Sequence, residues 1–148
     1  MSLSLDANIF VYAVDADDPS RQSEARAIIG AASKVDAVIT EQVMLEFLNA
    51  AQKKAKAKPS AAIAMVRSWS GTFKMQSPSA ETLGTTLDLM TRHRLSVWDS
   101  RLLAVCAEGG VTTLLSEDLS DGASYGTVAI VNPFNPKNRE ILVRLLPL

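Results

Sequence analysis

Four acidic residues in this 148-residue chain fall at positions where a carboxylate invites a chemical explanation. Asp6 follows SLSL, a short strand-like run, and Asp118 lies just past TTLL. In open parallel sheets the working crevice lies beyond the carboxyl ends of the strands. If the two runs are neighbouring strands, both acids stand on one rim. Glu46 interrupts VMLEFL, an almost wholly apolar helical turn, where an uncompensated carboxylate is costly to desolvate. Asp99 stands in LSVWDSRLLA at the expected start of a helix, where the free N–H groups and the helix dipole by themselves favour an acid.

Together these four acids suggest a cage of carboxylates. Without histidine or cysteine beside them they are hard oxygen donors, suited to Mg²⁺ or Mn²⁺ rather than zinc. The single histidine, His93 in TRHRL, is expected in solvent near a helix end. The single cysteine, Cys106 in LLAVCA, reads as a small core residue. A histidine-based triad and a His/Cys metal site are therefore excluded, and the chain has neither a phosphate-binding glycine loop nor a dinucleotide fingerprint.

Strand-like and helix-like runs alternate around these acids. Residues 2–6 and 36–39 read as strands, and 7–14 is a short apolar segment. A helix follows Pro19, with Ala25, Ile28, Ile29 and Ala32 on one stripe. Thr40 is placed to cap a helix that continues through 43–57. Residues 61–68 form a further short helix and 72–76 an extended piece. Residues 79–93 form a helix with Leu83, Leu87 and Met90 on one face. The helix at 98–108 stops at Gly109-Gly110, strands follow at 112–115 and 127–131, and 139–146 is an amphipathic tail. This order predicts βαβ units, hence one α/β domain over residues 1–148 with a parallel sheet.

Composition agrees with a soluble globular fold: 47% apolar, 21% charged, net charge −1. No apolar run approaches the ~20 residues of a membrane span. The N-terminus lacks the pattern of a signal peptide, and a lone cysteine fits a reducing, cytoplasmic compartment. Near-neutrality argues against a uniformly basic polyanion binder. If Asp6, Glu46, Asp99 and Asp118 face a metal, however, twelve acids remain against 15 basic residues, and the surface outside that pocket is mildly basic.

The segments SLDANIFVYAVD (4–15), ITEQVMLEFLNA (39–50), LSVWDSRLLAVCAEGGVTTLLSEDLSDG (95–122) and VAIVNPF (128–134) resemble, in order and spacing, the PIN-domain ribonucleases. Among these, the VapC-type toxins of bacterial toxin–antitoxin pairs are the nearest. The resemblance implies a three-layer α/β/α PIN-like fold with a central parallel sheet and a divalent-metal-dependent endoribonuclease. Asp6, Glu46, Asp99 and Asp118 become the catalytic acids. Asp6, Asp99 and Asp118 become metal ligands, with Glu46 either a ligand or the group that orients and deprotonates the attacking water. Asp121 matches an additional acid of some members, and its local alternative is a turn residue before Gly122. Asn8, Thr40 and Ser116 are expected as supporting polar groups. The implied partners are an RNA substrate, a small antitoxin protein and a second copy of the chain, whose contacts the helices at 19–33 and 43–57 would supply.

For holding RNA, Lys53, Lys54, Lys56 and Lys58 in KKAKAK and Arg101, two residues past Asp99, are the candidate phosphate contacts. Trp98, Trp69 and Tyr12 are expected to pack inside. Glu117 is expected to point away from Asp118. Two other readings compete: a non-catalytic PIN-like interaction domain, and a haloacid-dehalogenase-like phosphatase. The latter chemistry needs a second acid two residues after its nucleophilic Asp, where this chain has Asn8.

Overall fold

Asp6 ends one element and begins the next. In the computed structural model, which describes residues 2–54 and 58–148, strand β1 (Ser2–Leu5) runs straight into helix α1 (Ala7–Val14). The Asp6 carboxylate caps that helix by accepting the Ala7 N–H at 2.7 Å. This cap converts the apolar run 7–14 into a helix rather than a continued strand.

Helix α2 (Pro19–Ala32) begins with Pro19 in its first turn behind the cap Asp18, and its expected stripe of Ala25, Ile28, Ile29 and Ala32 is buried. Strand β2 (Val38–Thr40) leads into α3 (Glu41–Lys54), whose Val43 N–H donates to Thr40 Oγ1 at 3.2 Å. Helix α4 (Pro59–Thr72) is longer than the sequence suggests, because Pro59 starts it. Strand β3 (Lys74–Gln76) pairs parallel with β2.

Helix α5 (Thr82–His93) departs from expectation in its phase. Its buried residues are Thr82, Thr86 and Leu89, whereas Leu83 and Leu87 are exposed. The inward threonines have local partners: Thr82 Oγ1 donates to Glu108 at 2.7–2.8 Å, and Thr86 Oγ1 donates to the Thr82 carbonyl at 2.7 Å. Small side chains with satisfied hydroxyls let α5 lie close against α6 (Val97–Glu108), which the larger leucines would hold off.

The remaining elements are β4 (Val111–Leu115), β5 (Ser124–Tyr125), β6 (Val128–Val131) and α7 (Arg139–Leu145). The two-residue β5, unforeseen in the sequence, runs antiparallel to β6. The four-stranded sheet has the order β1-β4-β6-β5, and β2 adjoins β1 through the bridge Leu3–Ala37. All pairings but β5–β6 are parallel. The result is a three-layer α/β/α arrangement. In it β1, covered on both faces, buries Ser2 and Ser4 along with Leu3 and Leu5. Phe10, Phe47, Leu5, Ile39, Leu103 and Leu115 are fully buried. Trp69 packs against Phe10 at 4.7 Å and Phe47 at 4.9 Å between ring centroids, as expected, tying α1, α3 and α4 together.

Candidate active site

Because β1 and β4 are parallel neighbours with Leu5 opposite Leu115, the chain leaves both strands at the same end of the sheet. The Asp6 N–H donates to the Leu115 carbonyl at 2.9 Å, which fixes Asp6 beside the turn that carries Ser116 and Asp118. Ser116 is fully buried and organises that turn. Its hydroxyl donates to Asp6 Oδ2 at 2.7 Å, and its oxygen accepts the N–H groups of Asp118 at 3.2 Å and Leu119 at 3.3 Å. Asn8, in the first turn of α1, donates to Asp118 Oδ2 at 2.6 Å. Asp6 and Asp118, expected on one rim, lie on it and are held by hydrogen bonds with Ser116 and Asn8, the expected supporting groups.

Asp6 is an uncomfortable carboxylate. Burial pushes its pKa up to about 6. The hydroxyl of Ser116 and the N–H of Ala7 pull the other way, and the neighbouring charges of Asp118 and Glu46 raise it again. Asp6 and Asp118 thus feel each other and Asp6 feels Glu46 across the crevice. Among the described residues, no lysine or arginine forms an ion pair with Asp6 or Glu46.

Gln42, one turn before Glu46 on α3, links Glu46 to the residues of α6 that flank Asp99. The Gln42 Nε2 donates to Glu46 Oε1 at 3.0 Å and to the Trp98 carbonyl at 2.9 Å, while its Oε1 accepts Arg101 Nη1 at 2.7 Å. Gln42 is buried, and all its amide functions are engaged. It fixes the Glu46 carboxylate and ties α3 to the first turn of α6, where Asp99 donates its N–H to the cap Ser96 at 3.1 Å. Sequence reasoning missed Gln42, although its i, i+4 spacing to Glu46 is a usable signal.

Thr40 is buried and caps α3. Both Asp121 oxygens accept hydrogen bonds at 2.8–2.9 Å from the Asn132 N–H, Asn135 and Asn138. Slight burial raises the Asp121 pKa, but these donors outweigh it and hold the carboxyl below its usual range. Asp121 therefore clasps the segment after β6. Glu117 turns toward α1 and α2, accepting the Tyr12 hydroxyl and lying 3.8 Å from Arg21, whose guanidinium sits 4.2 Å from the Phe134 ring centre. His93 is exposed, and Cys106 is buried, its thiol pushed up to about 12 by burial. Tyr12 is only partly buried. Trp98 corrects the sequence expectation: it is 63% exposed, because it lies in the first turn of α6, whose buried residues begin at Ser100. Lys53 and Lys58 are exposed, while the side chains of Lys54 and Lys56 lie outside the described residues.

Whether this rim suits a divalent cation can be judged from its donors. Every acid offers only oxygen, and the like charges around buried Asp6 favour a positive partner. Among the described residues, no three carboxylate, imidazole or thiolate side chains close around a common point. Mg²⁺, which keeps several waters and takes one or two carboxylates directly, does not require such a closed cluster.

The chain matches the PIN domain family over residues 3–120 and belongs to it. No curated protein sequence matches it. Among solved structures it is similar to VapC20 of Mycobacterium tuberculosis, a sarcin–ricin loop cleaving toxin. That match has a TM-score of 0.63 and 17% identity, covering 78% of this chain and 91% of that one. A toxin–antitoxin complex from Klebsiella pneumoniae matches at TM-score 0.64 and 19% identity, over 89% of this chain and 98% of that one. VapBC2 of Rickettsia felis, bound to a promoter DNA fragment, matches at 0.63 and 15%, over 88% and 97%. At these identities the likeness is one of fold.

Proposed function

We propose that residues 1–148 act as one PIN domain, a divalent-metal-dependent endoribonuclease and the toxin of a toxin–antitoxin pair. The observation that carries this reading is the buried Asp6 carboxylate, fixed by Ser116 and Ala7 and facing the charges of Asp118 and Glu46. Asp6, Asp99 and Asp118 would hold Mg²⁺ or Mn²⁺, directly or through water. The bound ion would supply charge neutralisation at the phosphate and a more acidic water.

The protein's own groups account for the rest. Ser116 keeps Asp6 ionisable and in place, and Asn8 aims the Asp118 carboxylate. Gln42 holds Oε1 of Glu46, leaving the other oxygen to orient the attacking water and take its proton. Arg101 and Lys53 are the proposed phosphate contacts. Asp121 is assigned to the clasp rather than to the metal. The proposed partners are RNA, a small antitoxin protein and a second copy of the chain, in the cytoplasm. Among the described residues no helix is long and apolar enough to cross a membrane.

The deciding experiment is RNA cleavage with Mg²⁺ or Mn²⁺, with EDTA, and with Asp6→Asn. Cleavage that needs the metal and fails in the variant supports the reading; activity surviving both EDTA and the substitution overturns it. The competing reading is a PIN-like domain that binds without cutting. It prevails if metal-supplemented protein leaves single-stranded and structured RNAs intact.

A further inference from the structure

Beside Glu46 lies a cleft of about 560 Å³ lined by Gln42, Leu45, Glu46, Asn49, Trp98 and Arg101. Its two apolar walls, Trp98 on α6 and Leu45 on α3, are 63% and 56% exposed. Large apolar side chains this open next to a reaction site mark a place where something binds. We infer that the cleft is a subsite for one unpaired nucleobase of single-stranded RNA, stacked on the Trp98 indole beside the scissile phosphate. The inference rests on the ribonuclease reading above and names how that site grips its substrate.

The lining chemistry selects the occupant. An apolar partner helix needs a continuous stripe of apolar contacts, whereas four of these six side chains are polar or charged. A base has apolar faces and a polar edge, the pattern this cleft offers. The indole supplies a face for stacking, which is how unpaired RNA bases are commonly held. At the edge, the Asn49 amide has no hydrogen-bond partner among the described residues, and Arg101 spends one of its five donors on Gln42. The Gln42 amide is saturated and so holds the walls in place rather than reading the base. Glu46 sets the register: it lines this cleft and lies within electrostatic reach of Asp6, so a base stacked here brings its own phosphate toward the acids.

Fluorescence can test this directly, because Trp69 is buried and Trp98 is the exposed indole. Asp6→Asn protein in Mg²⁺ is titrated with a randomised single-stranded RNA pool and with a base-free ribose-phosphate oligomer; wild-type protein in EDTA repeats the titration in case that variant misfolds. RNA should quench the exposed emission and the base-free oligomer should not. In steady-state cleavage of the pool, Trp98→Ala should raise KM about tenfold with kcat within about threefold, and Trp98→Phe should restore KM. Equal quenching by both oligomers, or cleavage by Trp98→Ala at the wild-type KM, overturns the subsite and leaves the nuclease standing. A wild-type protein that cuts no RNA in either metal removes both. If Trp98→Ala instead turns an oligomer into monomers while RNA leaves the emission unchanged, the face joins copies of the chain and the subsite is wrong.

Discussion

Ser116 gives its hydroxyl proton to Asp6 at 2.7 Å while its oxygen gathers the N–H groups of Asp118 and Leu119. One buried side chain thus ties the carboxylate after β1 to the backbone of the turn after β4. Removing it leaves Asp6 buried with one donor fewer. Ser116→Ala should cost about 1–3 kcal/mol of stability and move the acid limb of the pH–rate profile upward. Thermal unfolding and rate measurements across pH 5–8 check the two effects, and an unmoved acid limb would refute the coupling.

The pH dependence of the metal-free fold follows from Asp6. Its folded pKa of about 6 lies above the ordinary 3.8, so the native state binds this proton more tightly than the unfolded chain. The contribution is full below about 3.8 and is lost as pH rises through about 6, a change of about 3 kcal/mol. In EDTA, stability should therefore fall across that window, and Asp6→Asn should flatten the fall. Mg²⁺, which prefers the ionised acid, should restore stability most at the upper end. Denaturant titrations at pH 4, 5, 6 and 7, with and without Mg²⁺, measure this.

Gln42→Leu keeps the approximate volume of a buried side chain but strips Glu46, the Trp98 carbonyl and Arg101 of their shared partner. The expected loss is about 1–3 kcal/mol in stability. RNA cleavage should fall by roughly tenfold or more as the Glu46 carboxylate loses its orientation. A variant that is less stable but cuts at the wild-type rate would reduce Gln42 to a packing role.

Asp121→Ala separates a clasp from a metal ligand. Loss of the hydrogen bonds from Asn132, Asn135 and Asn138 should lower the melting temperature by a few degrees. Metal-dependent cleavage and the Mg²⁺ midpoint should stay within about threefold of wild type. A large rise in that midpoint would instead return Asp121 to the ion.

Much of this arrangement was legible in the sequence because parallel sheets put strand ends on one rim: SLSL-Asp6 and TTLL-Ser116 need only be neighbours for the acids to meet. The helix cap at Thr40 was equally local, whereas Asp6, Asp18 and Ser96 act as caps that the sequence had not singled out. What escaped was set by packing between distant elements. The inward face of α5 carries Thr82 and Thr86 beside Leu89, rather than Leu83 and Leu87, and Glu108 of α6 meets Thr82 there, a fact no window of α5 contains. Trp98 is exposed because the buried face of α6 begins only at Ser100, which hydropathy cannot register. Gln42 gains its role only when α3 and α6 converge.

The sheet is trimmed at its margins. On one side the outermost strand is β3, three residues long; on the other it is β5, two residues long and reversed in direction. So little unpaired backbone offers almost no template on which another polypeptide can extend the sheet. Strand addition is thereby disfavoured as a way of recruiting a protein, leaving helix faces and crevice side chains as the surfaces for contact. Crowded copies are likewise protected from zipping edge to edge into fibrils.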